Sequence, residues 1–179
     1  GADEVLIVGH SSGAHLAVQV AAEVQRRAKG GAPLSILTIG QVIPMVSFLP
    51  TARDLRRDLH ELSKDPEIYW LDVTALGDGA CFALSDPVSV SGVAPPDEEK
   101  LWPITISAAF KRHLSEEQIV AYKWRFFRKH IQYLCAFGRP GDYDYFRITA
   151  GPKTLRERFG WRSSSASTNW GVYSPFRDF

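Results

Sequence analysis

Five residues, Gly9-His10-Ser11-Ser12-Gly13, constrain this chain more than any others because of what stands on either side of them. Residues 4–8, Glu-Val-Leu-Ile-Val, form a β-branched, largely apolar run, the pattern of a short strand covered on both faces. Residues 14–28 then carry Leu16, Val20, Ala21 and Val24 at helical spacing, which predicts a helix. Arg26, Arg27 and Lys29 close it, where cations suit the negative end of the helix dipole, and Gly30 and Gly31 stop it. A serine enclosed by glycines at a strand-to-helix junction predicts a sharp turn. Small residues let the backbone pass closely, the hydroxyl projects beyond the carboxyl end of the strand, and the helix points its free N–H groups at the same place.

The remaining pattern repeats the alternation. Residues 34–39 read as a second short strand. Residues 51–64 read as a charged surface helix with Leu55, Leu59 and Leu62 on one side, and residues 68–75 as a third strand. A strand-helix-strand-helix-strand order predicts an α/β fold, a mainly parallel sheet flanked by helices. Residues 76–103 are loop-like, with Gly77, Gly79, Gly92, Pro87, Pro95 and Pro96. Residues 115–137 read as one long helix, opened by a capping box of Ser115 and Gln118 and stopped by Gly138 to Gly141. The chain has 179 residues, 45% of them hydrophobic and 23% charged, which suits one globular domain over residues 1–159 and a coil tail over 160–179.

Several function classes recede. A net charge of +1 gives no footprint for bulk nucleic-acid binding. No apolar run approaches the roughly 18 residues that span a bilayer. No leader-like segment opens the chain, which favours the cytoplasm. The chain starts on Gly1 and its first strand begins within five residues, so it is expected to be processed or to be the C-terminal part of something longer. Cys81 and Cys135 lie in apolar surroundings and are expected as buried reduced thiols. Asp142 and Asp144 sit in a short aromatic loop without the further ligands that a calcium site needs.

Residues 9–13 fit G-x-S-x-G in the context that motif requires. A phosphate-holding turn is the alternative, but the stretch lacks G-x-G-x-x-G and the lysine of a P-loop. Extended through Ala14-His15-Leu16-Ala17, the segment resembles the nucleophile elbow of the α/β-hydrolase superfamily, especially its lipase-like esterases. In element order the resemblance covers residue 4 to about residue 150. It implies Ser11 as nucleophile and the Ser12 amide as an oxyanion donor. It also implies that the first strands of the usual sheet and the second donor lie upstream of the elbow, in a missing N-terminal segment or a partner chain.

A serine hydroxyl needs an adjacent base, and the base a carboxylate to hold its tautomer. The superfamily order places the acid next and the histidine last. Asp78, shortly after the third strand, is favoured as the acid. Asp86 is the rival, since Asp86-Pro87-Val88 resembles a sequence after the acid strand of many lipases. Asp72 lies inside a strand and is expected to point sideways. Among five histidines, His10 is expected to line the pocket, His15 to pack or face solvent, and His60 and His113 to lie on the surface. His130 remains, and His130-Ile131-Gln132-Tyr133-Leu134 resembles the surroundings of the base in some lipase-like families.

The expected activity is therefore that of a serine hydrolase acting on a small-molecule or lipid ester through an acyl-enzyme, with Ser11, Asp78 and His130 as triad and no cofactor. The rival is a non-catalytic module of the same architecture that binds a partner or a membrane surface. Between Lys111 and Lys129, six cations interleave with Tyr122, Trp124, Phe126 and Phe127. A helix with its aromatics in the core and its charges in water is the first expectation. Contact with a membrane surface is the second, and base stacking on nucleic acid the weakest.

Overall fold

A computed structural model describes residues 1–27, 30–167 and 174–179, so Lys29 lies outside the described residues. Four strands, β1 (Val5–His10), β2 (Leu34–Ile39), β3 (Ile68–Thr74) and β4 (Ile104–Ser107), form one sheet in the order β1-β2-β3-β4. All three pairings are parallel, with Val5 opposite Leu34 and Leu34 opposite Ile68. The fold is thus α/β. Every residue of β2 and β3 is buried, as their near-continuous apolar sequences require, while β1 runs along one edge.

Helix α1 (Gly13–Arg27) joins β1 to β2, and α2 (Ile43–Ser47) and α3 (Arg53–Ser63) join β2 to β3. Both crossovers lead to the neighbouring strand in the same direction, which puts their helices on one side of the sheet; α1 accordingly packs against α3. Leu55, Leu59 and Leu62 of α3 are buried as the pattern predicts. In α1 the pattern misleads. Its buried residues are Ala14, Ala17, Val18, Ala21 and Ala22, while Leu16 and Val20 are more than half exposed. The close seating of α1 on the sheet admits small side chains, and the larger ones turn outward.

Between β3 and β4 lies only α4 (Pro87–Val90). Strand β4 escapes the sequence reading, because four residues behind a proline-rich stretch give no period to detect. After it come α5 (Phe110–His113), α6 (Glu116–Ala121) and α7 (Phe126–Ile131), followed by a 3₁₀ turn over Gln132–Leu134. The single helix expected over 115–137 is therefore corrected to two short helices and that turn. The capping box of Ser115 and Gln118 is formed, yet α6 buries none of its residues, so no packing sustains it past Ala121. The chain turns over 122–125, and α7 carries His130 inward, with Gln132 and Tyr133 after it. The aromatics of this segment part company: Tyr122 is buried, but Trp124, Phe126 and Phe127 are 78%, 61% and 77% exposed, not in the core.

Helices α8 (Tyr145–Thr149) and α9 (Leu155–Phe159) complete the body, the latter packed on β3. The described residues beyond 160 form no helix or strand, yet they are bonded to the rest. Ser165 N–H donates to Thr105, Ser174 N–H to Val90, and Arg56 of α3 donates to the Asp178 carbonyl at 2.8 Å. That arginine departs from the surface-helix expectation. Its guanidinium is fully buried and satisfied by the carbonyls of Ser47, Leu49 and Pro50 and by the Asp178 carboxylate. Both cysteines are free thiols, but Cys135 is exposed and Cys81 only partly buried, so burial of the pair is corrected.

Candidate functional site

The sharp turn expected over residues 9–13 forms at the carboxyl end of β1. Gly9 is indispensable to it: a Cβ there would lie 2.7 Å from both Ala14 Cα and Ala17 Cβ, so only a bare α-carbon lets α1 double back this closely. Ser11 adopts φ +57°, the left-handed region, at a cost of about 1–3 kcal/mol for a residue with a Cβ. Two bonds hold it there. Its N–H donates to the Ile39 carbonyl at 3.0 Å, prolonging the β1-β2 ladder by one residue, and its carbonyl accepts from Ala14 N–H at 3.1 Å. The Ser12 amide has no acceptor among the described residues and stands at the amino end of α1.

Asp78 follows β3 in a turn closed by its own N–H to the Ala75 carbonyl at 2.9 Å. Its side chain is buried. Oδ1 accepts from Ala80 N–H at 3.0 Å, and Oδ2 lies 2.7 Å from Nδ1 of His130, itself buried. An imidazole whose Nδ1 faces a carboxylate carries its proton there, which leaves Nε2 as the basic atom. Asp86 does other work. Its Oδ1 accepts from Val88 N–H and its Oδ2 from the Ser89 hydroxyl, capping α4, and Lys100 pairs with it at 2.7 Å.

His130 is fixed from several sides. Its carbonyl accepts from His10 Nε2 at 2.8 Å, and the two rings lie 4.7 Å apart. Burial lowers the pKa of His10, the bond to the His130 carbonyl opposing, which keeps the ring neutral with its proton on Nε2. Gly40, just after β2 at φ +53°, leaves the space in which the ring sits: a Cβ there would lie 3.3 Å from His130 Cε1 and 2.8 Å from Tyr133 Cε2. Tyr133 is fully buried, with its backbone carbonyl held by the Tyr143 hydroxyl at 2.8 Å. Gln41, the residue after Gly40, ties down the segment that follows Asp78 by donating to the Ser85 carbonyl and accepting from Ile43 N–H.

Ser11 and the His130–Asp78 pair thus lie at the same end of the sheet. Ile39 holds the serine amide and the adjacent Gly40 borders the imidazole. The serine hydroxyl and the imidazole are not joined by a hydrogen bond. Of the other histidines, His60 bonds the Val93 carbonyl and His113 the Ala108 carbonyl, while His15, in the first turn of α1, has a buried Nδ1 with no hydrogen-bond partner among the described residues. Asp72 is buried within β3, bonded to the Thr38 hydroxyl at 2.7 Å. Sequence reasoning missed Gly40 and Gln41. A glycine directly after an apolar strand was the available signal for the first; the second has none. No family model, curated protein or solved structure matches the chain.

Proposed function

We propose that this chain is a serine hydrolase of the α/β-hydrolase type that cleaves carboxylic esters through an acyl-enzyme. The observation that carries the reading is the buried Asp78–His130 contact of 2.7 Å, brought to the strand end where Ser11 is held in a left-handed turn. In this mechanism His130 Nε2 takes the hydroxyl proton as Ser11 Oγ attacks the ester carbonyl. The Ser12 N–H donates to the oxygen as it gains charge. Collapse of the tetrahedral adduct expels the alcohol, which leaves with the proton from His130. Water, deprotonated by the same imidazole, then releases the acid. Asp78 holds the Nδ1–H tautomer and stabilises the imidazolium. The Ser11–His130 hydrogen bond closes on substrate binding, as catalytic contacts in free enzymes commonly do.

The open serine–histidine contact also favours a second reading, a non-catalytic module that keeps the elbow as scaffold. A fluorophosphonate probe separates the two. The hydrolase reading expects labelling of the wild type, none of Ser11→Ala, and labelling slowed at least about a hundredfold in His130→Ala. A wild-type chain with native circular dichroism that takes up no probe supports the module.

A further inference from the structure

We propose that the face formed by α6, the turn over 122–125 and the start of α7 docks onto an anionic phospholipid surface. Trp124, Phe126 and Phe127 are mostly exposed there, joined by Val120 at 76% and Ile119 at 42%. Aromatic and aliphatic side chains grouped in this way carry an unfavourable exposed area unless something apolar receives them. The same stretch is cationic. From Lys111 to Lys129 it holds Lys111, Arg112, Lys123, Arg125, Arg128 and Lys129 against Glu116 and Glu117, although the whole chain has a net charge of only +1. Among the described residues none of these six cations is in an ion pair, whereas Glu116 is taken by Arg139. Three of them lie over rings instead: Lys123 over Trp124, Arg128 over Tyr122, Lys129 over Phe126. A cavity of about 170 Å³ opens in this face, lined by Phe110, Leu114 and Tyr122 with Lys111, Lys123 and Lys129. That is an apolar recess beside ammonium groups, the match for an acyl chain with a phosphate head.

The chemistry selects the partner. Rings and aliphatic side chains enter the boundary between headgroups and acyl chains, while lysines and arginines reach back to the phosphates. Among the described residues no helix is long and apolar enough to cross a membrane. The face adjoins the candidate site. Phe126 lies 3.9 Å from where a Cβ on Gly79 would stand, one residue from Asp78, and α7 itself carries His130. The docking does not depend on the hydrolase reading.

The test is co-sedimentation of the full chain with vesicles of phosphatidylcholine alone or mixed with phosphatidylglycerol. Binding to the mixed vesicles, weak binding to phosphatidylcholine and release by salt are expected. The variant Lys123→Gln/Arg125→Gln/Arg128→Gln should lose about a hundredfold in affinity for the mixed vesicles. Trp124→Ser/Phe127→Ser should lose binding while keeping the wild-type melting temperature. If that double variant fails to fold, the charge variant alone decides. No binding to mixed vesicles, equal affinity for both vesicles, or unchanged binding by the charge variant overturns the proposal. So does capture of a single-stranded oligonucleotide through the same residues by a chain that ignores vesicles. Turnover of a soluble short-chain ester, read in the same samples, tells the two failures apart. Vesicle binding without turnover removes only the hydrolase reading, and turnover without vesicle binding removes only the docking.

Discussion

Asp78 Oδ2 and His130 Nδ1 lie 2.7 Å apart in the interior although 52 positions separate them in the chain. Neither group is placed by its own neighbourhood alone. The carboxylate hangs from a turn at the end of β3, and the imidazole arrives on a short helix that crosses from beyond β4. If this pair orients a catalytic base, Asp78→Asn reverses the amide's demand on the imidazole and traps the wrong tautomer. The expected fall in kcat is about 10⁴-fold. Asp86→Asn should leave kcat within a few-fold and lower stability by about 1 kcal/mol or less, since asparagine still caps a helix. Ester turnover and urea midpoints of the two variants decide between the acids.

The backbone of Ser11 offers a test that separates strain from chemistry. At φ +57° a glycine is at ease where serine is not. Ser11→Gly should therefore raise stability by about 1 kcal/mol, Ser11→Ala should not, and both should abolish fluorophosphonate labelling. Chemical denaturation of the three proteins measures the difference. Equal stability of the glycine and alanine variants would mean that the turn is unstrained.

Gly40 sets the gap in which the His130 ring sits. Gly40→Ala places a methyl 2.8 Å from Tyr133 and 3.3 Å from His130, on a backbone at φ +53°. A loss of about 1–3 kcal/mol is expected. Turnover in the folded fraction should fall by up to about a hundredfold as the ring is displaced. Gly77→Ala, whose nearest side-chain contact would be an ordinary 3.8 Å to Phe110, is the control and should change neither quantity appreciably.

Asp72 predicts how stability varies with pH. Burial raises its pKa to about 8, outweighing the opposing bond from the Thr38 hydroxyl, and the charge of Asp86 adds to the rise. Unfolded, the same carboxyl titrates near 3.9. Between those values the folded chain keeps a proton that the unfolded chain gives up, so this group's contribution falls as pH rises from about 4 to about 8. Asp72→Asn has no such proton. Its stability relative to wild type should improve by up to about 4 kcal/mol between pH 5 and pH 8. Urea unfolding across that range reads it directly, and parallel profiles for the two proteins would contradict a buried protonated carboxyl.

Local sequence determined the parts of this protein whose physics is local. The glycines around Ser11 announced a turn, the continuous apolar runs announced buried parallel strands, and Ser115 with Gln118 announced a helix start, because each is a statement about a few adjacent residues. Three matters were decided only in three dimensions. Whether Asp78 or Asp86 meets a histidine depended on where β3 ends relative to a helix that follows β4. Whether the segment after Ser115 stays one helix depended on α6 finding nothing to pack against. Whether Leu16, Val20, Trp124 and Phe127 face inward depended on which surfaces the rest of the chain covers. Contacts between distant segments carry no periodic trace, since the loop between two partners leaves their meeting unspecified until the sheet fixes the distance.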